Sequence, residues 1–139
     1  MTDVTEPPLE GYTLYDPDDP FEMHSGPFFW RRMQDGGHHF VLRAEARHCN
    51  RQGILHGGLM MTMIDLALAA SAKEVVDDRY VTISLNSEFV AAGNLGYLIE
   101  TKGGLIRRTR SLAFVRGQVT VGDRVLLNTS GVFKKLVMR

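Results

Sequence analysis

The chain has 139 residues, the size of one domain, with 44% hydrophobic and 23% charged residues, close to the average for globular proteins. Lys plus Arg equals Asp plus Glu at 16 each, so a disordered or fibrous chain, and a global field that would draw it onto nucleic acid or an anionic membrane, are disfavoured. Its single cysteine, Cys49, forms no internal disulfide, and no basic start leading into an apolar run resembles a signal peptide, so a cytoplasmic location is expected.

Charge is uneven along the chain. Asp3, Glu6, Glu10, Asp16, Asp18, Asp19 and Glu22 precede the first basic residue, Arg31, and all five prolines fall between Pro7 and Pro27. Proline disfavours regular structure, so residues 1–25 read as an acidic, Pro-rich arm, solvated and solubilising, ahead of a domain at 26–139. From Phe28 the pattern is strand, turn, strand: Phe28–Met33, the hairpin signal Asp35-Gly36-Gly37, then His39–Arg47. Leu59–Ala72 lacks glycine and proline and is rich in Ala, Leu and Met, which predicts a helix that is apolar nearly all round and hence surrounded by protein. Tyr80–Phe89, Leu98–Thr101, Ser111–Val121 and Val125–Lys134 read as antiparallel strands, broken at Ala92–Gly96, Gly103-Gly104 and Gly122-Asp123. Strict alternation in Tyr80–Phe89 would turn Val81, Ile83, Leu85 and Phe89 to the helix and Thr82, Ser84, Asn86 and Glu88 outward, toward another subunit. The expected architecture is α+β, a curved antiparallel sheet wrapped around one long helix.

Asp65 is the only charge between Leu59 and Ala72. A carboxylate in an apolar helix is costly unless something polar meets it, and desolvation is also what turns a carboxylate into a useful base. The alternatives are a surface-edge aspartate or one bonded to nearby backbone. Upstream, His56-Gly57-Gly58 opens the helix, where first-turn N–H groups are free and glycine lets a substrate carbonyl approach the backbone, although a plain glycine turn is also common.

The combined pattern Asn50, Gly53, His56, Gly57, Gly58 and Asp65 resembles the hotdog-fold acyl-CoA thioesterases, in particular the PaaI-like (phenylacetic acid degradation) family. The resemblance runs from His24-Ser25-Gly26-Pro27 through the helix to Thr82-Ile83-Ser84-Leu85-Asn86 and Arg110–Val115. Ala91-Ala92 stands where members often carry proline, and Leu95-Gly96-Tyr97 lacks an acidic residue often found there, departures that touch loop and substrate detail. The resemblance implies hydrolysis of an acyl-CoA thioester to acid and CoA in a homodimer with shared interface sites, usually paired again into a tetramer. It implies that Gly57 N–H polarises the carbonyl, Asp65 from the partner subunit serves as base or nucleophile, and Asn50 positions water or carbonyl. It further implies that His56 orients the thioester, Thr82 offers a hydroxyl near the water, with Ser84 as a competitor, and Gly58 and Asn86 contact substrate.

Coenzyme A brings phosphates, so Arg107, Arg108 and Arg110, the densest basic cluster, are candidates for its nucleotide end, with a solvated hairpin face as the plain alternative. Arg31-Arg32 and Lys134-Lys135 compete for that role. His38, His39, His48 and Cys49 match no zinc spacing and the reaction needs no metal, so structural or solvent-facing roles are expected for the histidines, a buried one for Cys49, and no cofactor beyond the CoA of the substrate. Met60, Met61 and Met63 read as core or interface filling. A hydratase would want a differently spaced His–acid motif; a non-catalytic acyl-CoA-binding or regulatory hotdog module is the reading from another class.

Overall fold

In the computed structural model, which describes residues 6–137, the strands are β1 (Thr13–Leu14), β2 (Phe29–Arg32), β3 (His38–Arg43), β4 (Tyr80–Phe89), β5 (Leu98–Arg108), β6 (Leu112–Val121) and β7 (Arg124–Lys135). The helices are α1 (Pro20–Ser25) and α2 (Gly57–Ala72), with a 3-10 turn at Ala46–His48. One antiparallel sheet in the order β1-β2-β3-β5-β6-β7-β4 packs on α2, which is the expected α+β architecture. Met63, Ile64, Ala67 and Leu68 of α2 meet Phe40, Ile99, Val115, Leu127 and Phe133 in the core. Gly117 allows this approach: a Cβ there would fall 3.0 Å from the Ile64 side chain and 3.1 Å from that of Leu68. The helix is enclosed on one side only, because Gly58, Met61, Thr62, Asp65 and Ala69 form a stripe that the chain leaves unburied.

Three strand expectations need correction. β5 does not stop at Gly103-Gly104 but runs through to Arg108. Gly103 lies so close to β6 that a Cβ would fall 2.2 Å from the Arg116 carbonyl oxygen, and its φ is +130°, so glycine here serves a tight crossing rather than a break. β3 ends at Arg43, and the rest of the predicted strand folds into the 3-10 turn. There His48, 3% exposed, donates from Nε2 to Gly26 O at 2.9 Å and accepts at Nδ1 from Glu45 N–H at 3.0 Å. Burial pushes its pKa down, so it is a neutral structural tie. Cys49 is only half-buried.

The third correction concerns β4. Its pairing with β7 slips between Thr82 and Ser84, leaving Ile83 as an extra residue. A bulge resets the alternation: Tyr80 and Thr82 face α2 ahead of it, Leu85, Ser87 and Phe89 after it, while Val81 and Ile83 turn outward and are 41% and 56% exposed.

The acidic segment is not simply solvated. Its first five residues, Asp3 among them, lie outside the described residues. Tyr12, 8% exposed, packs with Phe29 and Val41 on the outer face of the sheet, and its hydroxyl is hydrogen-bonded to His39 Nδ1. Tyr15 meets Trp30 and Phe40 edge-on at 5.1 and 4.8 Å. Pro20 starts α1 rather than breaking it, because the first helical position needs no N–H donor, and Asp19 caps the turn by accepting from Glu22 N–H at 2.8 Å.

This packing half-buries Glu22 beside Asp19 and Asp16, and burial first, then those two charges, push its carboxyl up to about 7, against a smaller opposing pull from Lys73. A carboxyl with a raised folded pKa holds a proton that the unfolded chain has released, so stability declines as pH rises from 4.5 to about 7. Glu22→Gln is expected to raise Tm above pH 7 and to flatten that part of the Tm-against-pH curve. Parallel curves for the two proteins would refute the assignment.

Candidate active site

The loop before α2 is closed by a bridge between Cys49 and Leu55. Asn50 holds its inside: Oδ1 accepts from Gln52 N–H at 3.0 Å and Ile54 N–H at 3.2 Å. Its carbonyl oxygen is thus engaged, and Asn50 can face a substrate only with its Nδ2 donors, which suit a carbonyl oxygen. Gly53, at φ +75°, makes the turn. His56 is the N-cap of α2, accepting at Nδ1 from Gly58 N–H at 2.8 Å. In the neutral ring this puts the proton on Nε2, the outward donor. Gly57 N–H meets no acceptor among the described residues and stands at the positive end of the helix. The helix start therefore gathers donors aimed outward, as an oxyanion requires.

Two turns along, Asp65 lies on the unburied stripe and accepts at Oδ1 from Thr82 Oγ1 at 2.6 Å. The β4 bulge makes this contact, since strict alternation would have turned Thr82 away from the helix. Asp65 keeps Oδ2 for another partner. Eight residues of helix separate it from Gly57 by roughly 12 Å along the axis and about 80° around it, so the donors and this carboxylate do not converge within one chain.

Other expected residues lie apart from these. Ser84 and Asn86 are on the outer face of β4, opposite α2, paired with Val132 and Ser130. Met60 and Met63 are core residues and Met61 packs partly against them. Arg108 has a structural task at the far end of α2: Nε and Nη2 donate to Ala72 O at 3.0 and 2.7 Å, and Nη1 lies 3.3 Å from Glu74 Oε1. Sequence spacing held no sign of this cap, because it joins β5 to a helix end 36 residues away. Arg107 and Arg110 remain exposed. Arg108→Ala is accordingly expected to cost about 1–2 kcal/mol of stability, read by urea unfolding, since it strips a helix end of charge-assisted bonds. Arg107→Ala and Arg110→Ala should leave the urea midpoint unchanged.

Among the described residues no helix is long and apolar enough to cross a membrane, and no group of three His, Cys, Asp or Glu side chains is placed to hold a metal ion. An antiparallel sheet around one long helix, with a glycine-lined helix start, defines the hotdog fold of the thioesterases. A mutant of the phenylacetic acid degradation protein PaaI from Thermus thermophilus shares it with a TM-score of 0.74 at 20% identity, over 85% of this chain and all (100%) of that one. A Bacillus halodurans protein solved with CoA matches with a TM-score of 0.70 at 21% identity, over 79% of this chain and 74% of the other. In sequence, a Pseudomonas aeruginosa protein named "Putative esterase" is 32% identical over 112 residues, 78% of this chain and 82% of that protein. Residues 52–128 match the family model described as Thioesterase superfamily. The chain belongs to the thioesterase superfamily.

Proposed function

We propose that this protein hydrolyses acyl-CoA thioesters to the free acid and CoA. The observation that carries the reading is the pairing of an outward-aimed donor at Gly57 with a carboxylate, Asp65, held by Thr82 on the one helix face the chain leaves open. A second copy, its α2 antiparallel to the first, brings Asp65 of one chain to Gly57 of the other, which closes the gap along the helix. β4, the edge strand that continues this open side, carries exposed Val81 and Ile83, and an uncovered apolar edge is a liability that pairing removes. The working unit in this reading is a homodimer with two sites, and the pairing of two such dimers into a tetramer is what the family resemblance implies.

Asp65 takes a proton from water as the water oxygen attacks the thioester carbon. The carbonyl electrons move onto oxygen, where Gly57 N–H, assisted by Asn50 Nδ2 and His56 Nε2–H, holds the charge. Collapse expels CoA thiolate, a good leaving group that needs no strong acid. Thr82, donating to Oδ1, leaves Oδ2 to face the water. Gly58 lines the approach, while Asn86, on the outer face, reaches substrate only where another subunit's site abuts β4. Arg107 and Arg110, exposed and without an ion-pair partner among the described residues, serve the CoA phosphates, a role in which each alanine variant raises KM. The CoA present in the Bacillus halodurans neighbour supports this choice of thioester. CoA thioesters are made inside cells, so the reading carries a cytoplasmic location.

The test is CoA release, followed with a free-thiol reagent, across phenylacetyl-, benzoyl-, short, medium and long acyl-CoAs. Turnover on one or more of them is expected. Binding without release across the panel would reassign the chain to the acyl-CoA-binding modules.

A further inference from the structure

β4 brings Thr82 to Asp65 near one end, and its other end carries a side chain to which the mechanism above gives no task. Phe89 closes β4, paired with Leu127, and its ring lies across the start of α2. A Cβ built on Gly57 would fall 2.9 Å from Phe89 Cε1, 3.4 Å from Cζ and 3.5 Å from Cδ1, so one edge of the ring rests on Gly57. The two segments are fixed to each other. Val90 N–H donates to Leu126 O at 2.8 Å just beyond the ring, and Leu55 N–H, just before the helix, donates to Gly93 O at 2.8 Å.

The ring is nonetheless 57% exposed, whereas the phenylalanines that fill the core, Phe40 and Phe133, are at 0%. Burial in the core of its own chain therefore does not account for its position. What the position does is set an apolar ring edge against the Cβ side of Gly57, next to its backbone donor, where it offers water no hydrogen bond. A donor in contact with bulk water is screened and must shed that water as charge develops, while a shielded donor acts on the oxyanion at lower local dielectric.

We propose that Phe89 is a positioning residue for thioester hydrolysis, its ring shielding Gly57 N–H from water and confining the carbonyl to the other flank. The inference rests on the reading of Gly57 as the oxyanion donor. It also assigns a second purpose to the glycine. An alanine at Gly57 keeps the N–H but must push the ring aside, so Gly57→Ala and Phe89→Ala disturb the same thing.

The experiment is steady-state CoA release by Phe89→Ala, Phe89→Tyr, Gly57→Ala and the Gly57→Ala/Phe89→Ala double variant, with assembly size from light scattering. Phe89→Ala is expected to lower kcat by roughly tenfold to a hundredfold with KM changed less than about twofold, since the shielding acts in the transition state. Phe89→Tyr, which keeps the ring, should restore most of kcat. The double variant should be no worse than the poorer single variant, because coupled residues are not additive. Wild-type kcat in Phe89→Ala, a loss confined to KM, multiplying losses in the double variant, or loss of activity together with dissociation of the assembly would each overturn the role of Phe89. A wild-type protein silent on every acyl-CoA sinks the thioesterase reading and this one together, which separates that failure from a failure of Phe89 alone.

Discussion

Asp65→Asn is expected to lower kcat by roughly 10²–10⁴-fold on whichever acyl-CoA the wild type prefers, the range for loss of a positioned general base. The substitution isolates one property. An asparagine at 65 still offers an oxygen to the Thr82 hydroxyl, which meets Oδ1 at 2.6 Å, so the α2–β4 contact survives. What it loses is the ability to take a proton from water. Tm should accordingly stay within a few degrees of wild type, and KM should move little, because the carboxylate acts on water rather than on the thioester. Turnover near that of wild type would remove Asp65 from the mechanism. Thr82→Ala is a milder change: the carboxylate stays but loses the bond that fixes one of its oxygens, so a smaller fall in kcat is expected.

Phe133→Ala should produce the largest loss of stability, about 3–5 kcal/mol, read as a shift of the urea midpoint at constant m. Phe133 is at 0% exposure on β7, opposite Thr82 on one side and Ala113 on the other, and belongs to the core beneath α2. A cavity there is filled only in part, since Phe133 is flanked by paired strands on both sides and belongs to the core packed on the helix. It also opens beneath the residue that holds Asp65. The variant is thus expected to lose activity as well as stability, though less than Asp65→Asn at temperatures where it remains folded. A loss below about 1 kcal/mol would mean that the site collapses freely and that the β6–β7–β4 layer is more plastic than its packing indicates.

The parts of the site that were legible in sequence are those built by near neighbours. The run from Asn50 to Asp65 spans one loop and the first turns of one helix, so its spacing places His56-Gly57-Gly58 at the helix start with free first-turn N–H groups and Asp65 two turns on, and it carries the resemblance to thioesterases; the Asn50 turn and the His56 cap appear only in the structure. The helix itself was equally legible, because fourteen consecutive residues without glycine or proline, rich in Ala, Leu and Met, leave few alternatives. The contacts that drape the acidic arm over the sheet are not local in sequence. Proline and charge describe what a segment does when nothing meets it, whereas Tyr12 is buried against Phe29 and Val41 and Tyr15 is half-buried against Trp30 and Phe40, which no local window contains.

The β4 strand shows where local reading ends. Its alternation turns Thr82 away from α2, whereas the structure turns Thr82 to α2 and onto Asp65. The bulge at Ile83 makes the difference, and a bulge is a property of the β4–β7 pair, invisible in either strand alone. Arg108 likewise stood in a basic cluster, and only the packing of β5 beside the end of α2 gave its guanidinium to the Ala72 carbonyl. Phe89 read as one apolar position among several until the sheet laid its ring on Gly57. The sequence by itself determined the fold class, the helix, the glycine turn that opens it and the candidate carboxylate, because hydrogen bonds and periodicities within a few residues specify them. The tertiary structure alone decided which side chains stand around that carboxylate and that turn, because contacts between residues far apart in the chain depend on strand register, and register is settled by the packing of the whole sheet on its helix.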